Sequence, residues 1–315
     1  VRHIGDKNMG WITTLKSSGH ITEAIIHFNQ AIETLGNRIS MVEVSRSLFD
    51  ALNKIQTEWV LQQNSQTIGE IKAFQTMILK EVGNEGHTTF LKSDEIKNLA
   101  LFQPPIMNHD TLRRHRYRPD QELDPQLVKK ASEEHQRLVN AYTTYLSLMN
   151  QENAERVIKR AAELLYIVRS NIAHGEKTPY GPDLKKKERD EEVCKVVMPL
   201  QRLLLNVLLD YPDRQLAVYG TLAPGNMNHK AISDIQGDWE DCTVNGHVYE
   251  INGLPFFDWQ PRGHSIKAQL FISDILSSSW ERLDQFEGSK YKRILIPVTK
   301  SNGICIANIY AANHH

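Results

Sequence analysis

Leu216-Ala217-Val218-Tyr219-Gly220-Thr221-Leu222 is an apolar run of strand length that breaks on a glycine. Such a turn can aim consecutive backbone N–H groups at an anion. A second stretch answers it, Leu283-Asp284-Gln285-Phe286-Glu287-Gly288. From Asp274 the pattern is helical, and Leu276, Trp280, Leu283 and Glu287 fall at spacings of 4, 3 and 4, on one face. Gly288 is a stop signal. A carboxylate therefore stands where the apolar stripe is due its next hydrophobic residue. Held from water, it would have a raised pKa, which suits a general base near neutral pH. A slip of one residue in the stripe would instead turn Glu287 outward as an ordinary surface glutamate.

Working outward, residues 216–311 carry β-prone runs at about 216–219, 245–251, 266–272, 293–299 and 304–310. Ile266-Lys267-Ala268-Gln269-Leu270-Phe271 alternates as a half-buried strand does, and Ser301-Asn302-Gly303 is a hairpin signal. One helix, 274–287, interrupts the strands. These elements predict a small mixed β-barrel or curled sheet with a helix packed on it and a ligand pocket at the barrel mouth. Residues 1–211 read as helical, with segments at roughly 21–36, 41–62, 67–82, 126–148, 152–173 and 187–209. Gly83, Gly86, Pro104, Pro105 and Pro119 predict an irregular insertion near 83–124. Tyr211-Pro212-Asp213-Arg214 marks the boundary, since proline cannot continue a helix. The fold class is α+β: an all-α bundle over 1–211, then the barrel over 216–313.

The chain has 315 residues, 40% hydrophobic and 24% charged. That suits a soluble two-domain protein. A net charge of −1 gives no overall bias toward nucleic acid. Cys194, Cys242 and Cys305 are widely spaced, and no histidine group has a ligand spacing, so neither a metal centre nor a redox pair is read. No secretory signal opens the sequence and no run could span a bilayer, so a cytoplasmic protein without a membrane partner is expected.

The C-terminal stretch resembles the γ-glutamylcyclotransferase-like, or AIG2-like, family. The resemblance rests on Tyr219-Gly220-Thr221-Leu222, Gly225, Asn228-His229, Gly246-His247-Val248-Tyr249, Gly253-Leu254-Pro255, Leu283 to Gly288 and Tyr291-Lys292-Arg293. It implies cyclisation of a γ-glutamyl group to 5-oxoproline with release of an amine, and no cofactor. Glu287 then corresponds to the acid/base, and Tyr219, Gly220, Thr221, Leu222 and Tyr291 to the substrate-binding set. One departure is Ala268-Gln269-Leu270, where family members often carry an acidic residue; Gln269 cannot bear charge.

The helical region holds a second pattern. Val157, Ala161, Leu164, Val168 and Ile172 form an apolar stripe, and the same helix ends in Arg169-Ser170-Asn171-Ile172-Ala173-His174-Gly175. This resembles HEPN domains, marked by Arg, four to six residues, then His. The resemblance implies a homodimer that acts on RNA without metal, through Arg169 and His174, with Asn171 beside them. Five helical residues turn about 140°, so one copy does not bring both groups to one face. Active members often carry Asn, Asp or His at the position after Arg, where this chain has Ser170. Arg113, Arg114, Arg116 and Arg118 would supply phosphate contacts. In the plainer alternative Arg169 and His174 cap a helix C-terminus, and the arginine cluster is a solvated loop.

Three readings follow. The first is a γ-glutamyl cyclising enzyme. The second is a ribonuclease or RNA-binding toxin or defence effector with the barrel as a regulatory module. The third is a scaffold whose pocket is filled by Phe257 or Trp259.

Overall fold

The computed structural model describes residues 11–15, 19–37, 40–63, 69–118, 122–173 and 184–314, without the side chains of 83–89 and 184–187. Two compact units result: 30–205, and 1–29 together with 206–315.

The first unit is helical. Helix α1 (Gly19–Gly36) begins outside it, and then come α2 (Met41–Gln62), α3 (Glu70–Leu91), α4 (Asp94–Leu101), α5 (His109–Arg114), α6 (Pro125–Ala131), α7 (Glu133–Leu148), α8 (Gln151–Ala173) and α9 (Leu184–Leu208). Helix α8 is the centre, packing on α3 and α7. Its stripe is buried as its spacing requires: Val157, Ala161, Leu164, Leu165 and Val168 are all 2% exposed or less.

The expected irregular stretch at 83–124 is largely helical instead. Helix α3 runs through Gly83 and Gly86 to Leu91, and α4 and α5 follow. A helical glycine costs only about 1 kcal/mol relative to alanine, and burial of Phe90 and Leu91 at the far end offsets that. The expected helix at 126–148 is two, divided at Ser132, whose hydroxyl donates to the Val128 carbonyl at 2.7 Å.

The chain leaves α9 through Asp210 and Tyr211, both in the left-handed region (φ 59° and 57°), and a single 3-10 turn at Pro212–Arg214. Six strands follow: β1 (Gln215–Val218), β2 (Asp238–Ile251), β3 (Leu254–Trp259), β4 (His264–Ile272), β5 (Tyr291–Lys300) and β6 (Gly303–Ala312). Their order is β3-β2-β4-β1-β6-β5, and β5 also pairs with β2. Five strands thus close into a barrel and β3 extends it as a hairpin arm. Closure removes the free edges that would otherwise invite aggregation. Only β1 and β6 run parallel, in register at Leu216↔Asn308.

Alternation along each strand sorts two cores. Ala217, Val244, Phe257, Leu270, Ile296 and Ile309 fill the barrel. Leu216, Val218, Leu222, Ile232, Phe271 and Tyr310 face outward, where Leu276 and helix α10 (Trp280–Glu287) cover them with Trp280 and Leu283. The helix read at 274–287 is a 3-10 turn, Leu276–Ser279, followed by α10. Strand β3 was not anticipated. From the opening part of the chain, Asn29 pairs with β5 as another strand would. Its amide donates to the Leu295 carbonyl at 2.8 Å and accepts from the Leu295 N–H at 2.9 Å.

Candidate active site

The pocket of the barrel unit lies where β1 ends. It is lined by Leu216 to Leu222, Pro255, Glu287, Tyr291 and Tyr310, and encloses about 360 Å³, part of it open to solvent. The turn after β1 and the last residue of α10 therefore share one hollow.

Local sequence builds each wall. The turn is held by its own side chains. Asn226 Nδ2 donates to the Gly220 carbonyl at 3.0 Å, Asn228 Nδ2 to Thr221 Oγ1 at 2.9 Å, and His229 Nδ1 to the Leu222 carbonyl at 3.0 Å. A carbonyl only accepts, so the His229 proton sits on Nδ1. The N–H groups of Gly220, Thr221 and Leu222 donate to no acceptor among the described residues. They are free to meet an anionic or carbonyl oxygen. Gly220 lets the turn approach Pro255 closely: a Cβ there would lie 3.3 Å from Pro255 Cγ, a tight contact.

On the other side, α10 buries Leu283 and half-buries Glu287. Gly288, at φ 69° and ψ −171°, stops the helix there. Withdrawal from water pushes the Glu287 carboxyl up to about 7. Among the described residues no side chain or backbone group hydrogen-bonds it. The neighbouring Tyr291 hydroxyl donates to the Pro255 carbonyl at 2.9 Å. Burial, then the Glu287 charge, raise its pKa. Tyr219 is raised by burial first, then by Tyr291, Glu287 and Tyr249. At neutral pH these are hydroxyl donors.

Tyr310 and Asp284, absent from the sequence reading of the site, complete it. Tyr310 lines the floor and donates to Asp284 Oδ1 at 2.8 Å. The same carboxylate takes Arg293 Nε at 2.9 Å and Nη2 at 3.1 Å. The guanidinium lies 4.3 Å from the centre of the Trp280 ring. This fork ties α10 to β5 and β6. The alternation of β6 could have flagged Tyr310 as an outward residue, but nothing local ties it to Asp284. Phe257 is fully buried in the barrel and Trp259 packs beside it; neither lines the pocket. Gln269 does not line it either, and its buried Oε1 has no partner among the described residues.

The residues singled out in the helical unit are placed differently. Arg169 is half-buried. With the Asn53 amide turned to present its oxygen, Arg169 Nε and Nη2 donate to it at 3.1 and 2.7 Å. Glu70 lies 3.6 Å from Nη1, and the guanidinium stands 5.3 Å from the Tyr166 ring centre. Asn171 accepts from the His109 N–H at 3.1 Å and donates to the Met107 carbonyl at 2.9 Å. His174 lies outside the described residues. Arg113 pairs with Asp110 at 2.7 Å, whereas Arg114, Arg116 and Arg118 are exposed. Among the described residues no group of three or more His, Cys, Asp or Glu could hold a metal, and no described helix is long and apolar enough to cross a membrane.

Residues 216–315 match the family model described as gamma-glutamyl cyclotransferase, AIG2-like. The match does not extend to the helical region. Solved structures similar to this stretch include an aig2-like protein from Mus musculus, at 19% identity and TM-score 0.28, covering 32% of this chain and 78% of that one. An uncharacterized protein from Pyrococcus horikoshii is similar at 22% identity and TM-score 0.26, covering 32% and 79%. YkqA from Bacillus subtilis is similar at 28% identity and TM-score 0.28, covering 32% and 36%. No curated protein matches the chain. The likeness to the AIG2-like gamma-glutamyl cyclotransferase family is thus carried by residues 216–315, the stretch that builds the barrel.

Proposed function

We infer that this domain cyclises a γ-glutamyl amide to 5-oxoproline and releases the amine. The observation that carries the reading is the Glu287 carboxyl, held near 7 in a pocket it shares with the unengaged N–H groups of the Gly220–Leu222 turn. The substrate's own α-amine is the nucleophile, so no protein nucleophile is needed. Glu287 takes a proton from the α-ammonium, and the freed amine attacks the γ-carbonyl. A C–N bond forms, closing the five-membered ring, and the carbonyl oxygen gathers negative charge against the turn N–H groups. Glu287 then returns the proton to the departing nitrogen as its C–N bond breaks, and next carries the ring nitrogen's second proton to the same amine, which leaves as an ammonium while the lactam keeps one N–H. No water is consumed and nothing is oxidised. A base near its operating pH contributes roughly 10²–10⁴ in rate, and holding the amine against the carbonyl contributes further. The test is 5-oxoproline release from a panel of γ-glutamyl amides by wild type and Glu287→Gln. Turnover lost in the variant supports the reading; turnover retained in it, or none by wild type, refutes it.

A second reading concerns the helical unit: RNA contact through Arg114, Arg116 and Arg118, which are exposed on and after α5. Phosphate contacts weaken as salt rises. Replacing all three by alanine would flatten the salt dependence of RNA binding; an unchanged slope would exclude them. Arg169 acts in this reading only by leaving Asn53 and Glu70.

A further inference from the structure

The pocket does not stop at Tyr291. Three more rings continue from it across the outer face of the β2–β3 hairpin. Tyr291 stacks on Phe256 at 5.0 Å and 12°, Phe256 on Tyr249 at 5.8 Å and 19°, and Tyr249 on His247 at 5.9 Å and 19°. The register explains the line. Tyr249 pairs with Phe256, and residues two apart on a strand share a face, so His247, Tyr249 and Ile251 lie beside Asp258, Phe256 and Leu254. Phe256 is buried, Tyr249 half-buried and His247 exposed, so the strip passes from the pocket to the surface. Ile251 and Leu254 extend the same face as exposed apolar side chains, 49% and 37% exposed. Tyr249 is also close enough to the pocket to raise the pKa of Tyr219.

The pocket itself has a closed side and an open one. Leu216, Val218, Leu222 and Tyr310 are each 5% exposed or less. Gly220, Thr221, Pro255, Glu287 and Tyr291 form the partly exposed rim. A γ-glutamyl group seated with its α-amine toward Glu287 and its γ-carbonyl toward the turn lies between these rim residues, over the closed side. Its amine portion must leave across the rim, and at Pro255 and Tyr291 the rim joins the ring strip.

The geometry points to a second subsite: the hairpin strip of Phe256, Tyr249 and His247 receives the leaving-amine half of the substrate, and it selects γ-glutamyl compounds whose amine carries an aromatic ring. This rests on the cyclisation reading above. The occupant follows from what the strip offers. Ring faces and aliphatic side chains favour a flat apolar group, and continuity with the rim makes that group part of the same molecule.

The experiment compares γ-glutamylphenylalanine with γ-glutamylalanine, which differ by one phenyl group. Wild type is expected to favour the phenylalanine compound in kcat/KM by roughly five- to tenfold, the order of one ring–ring contact. Tyr249→Ala is expected to erase the preference, Tyr249→Phe to keep it, and His247→Ala, at the exposed end, to reduce it in part. Turnover of both compounds with the same ratio in wild type and Tyr249→Ala overturns the subsite and leaves the cyclisation reading intact. Should wild type turn over neither, calorimetric binding of γ-glutamylphenylalanine decides. Binding weakened in Tyr249→Ala but kept in Tyr249→Phe upholds the strip while the cyclisation reading falls. Equal binding in all three, or none, overturns the strip.

Discussion

Asp284 and Glu287 stand three residues apart on α10 and meet opposite surroundings. Asp284 is held by the Arg293 guanidinium and the Tyr310 hydroxyl. Glu287 is left without such a partner among the described residues, and its carboxyl is pushed up to about 7. One helix thus carries a carboxylate held in place by its partners, and another whose raised pKa suits it to exchange its proton.

The first prediction is a pH profile. If Glu287 acts as a base, only its ionised form works, so kcat/KM should rise with pH through about 7 and level off above. A limb centred near the ordinary glutamate range, measured by 5-oxoproline release from pH 5 to 9, would remove Glu287 from that role.

Stability should move the other way. The Glu287 pKa is raised in the fold, so its burial costs nothing below the unfolded value of 4.5 and destabilises progressively as pH rises toward 7. Glu287→Gln should match wild type in denaturant melts at pH 4 and exceed it at pH 8, by up to about 3 kcal/mol at roughly 1.4 kcal/mol per unit. An equal difference at both pH values would mean the carboxylate is well solvated.

Asp284→Asn keeps the shape of the fork and removes its charge. Arg293 and the buried Tyr310 hydroxyl would then hold a weaker acceptor. A loss of about 1–3 kcal/mol is expected, with turnover reduced because α10 carries Glu287. Retained stability and turnover together would show that the fork does not position the base.

Gly288 has a backbone conformation open essentially to glycine alone. Gly288→Ala should cost about 1–3 kcal/mol, read in thermal melts. Gly220→Ala differs: its Cβ would press on Pro255 Cγ at 3.3 Å rather than strain the backbone. Turnover should fall more than stability.

Asn29→Ala would expose both main-chain groups of Leu295. Hydrogen exchange at the Leu295 amide should quicken, while exchange at Leu270, inside β4, stays slow. Unchanged protection at Leu295 would mean that another group covers it.

Part of this was legible in the chain. The stripe Leu276, Trp280, Leu283 placed Glu287 on the buried face of its helix because three of its four positions could only be satisfied by a core. The turn at Gly220 was legible for a similar reason: the apolar run before it has a fixed period. Strand β3 was not, because Leu254-Pro255-Phe256-Phe257 shows no alternation, and its pairing with β2 supplies what the pattern lacks. Asp284 gave no sign of its fork, since Arg293 and Tyr310 arrive from strands that only closure brings together. The helical stretch at 83–101 was hidden by glycines that the surrounding core outweighs.

The parallel pairing of Leu216 with Asn308 has a consequence for how the protein is made. Strand β1 emerges from the ribosome before every strand that will flank it, and β6, its parallel neighbour, is the last of the six to appear. The turn at Gly220 must wait as bare chain through the synthesis of nearly the whole domain. Until β4 and then β6 follow, the nascent polypeptide carries a hydrophobic strand with open edges, which makes this stretch a natural client for chaperones.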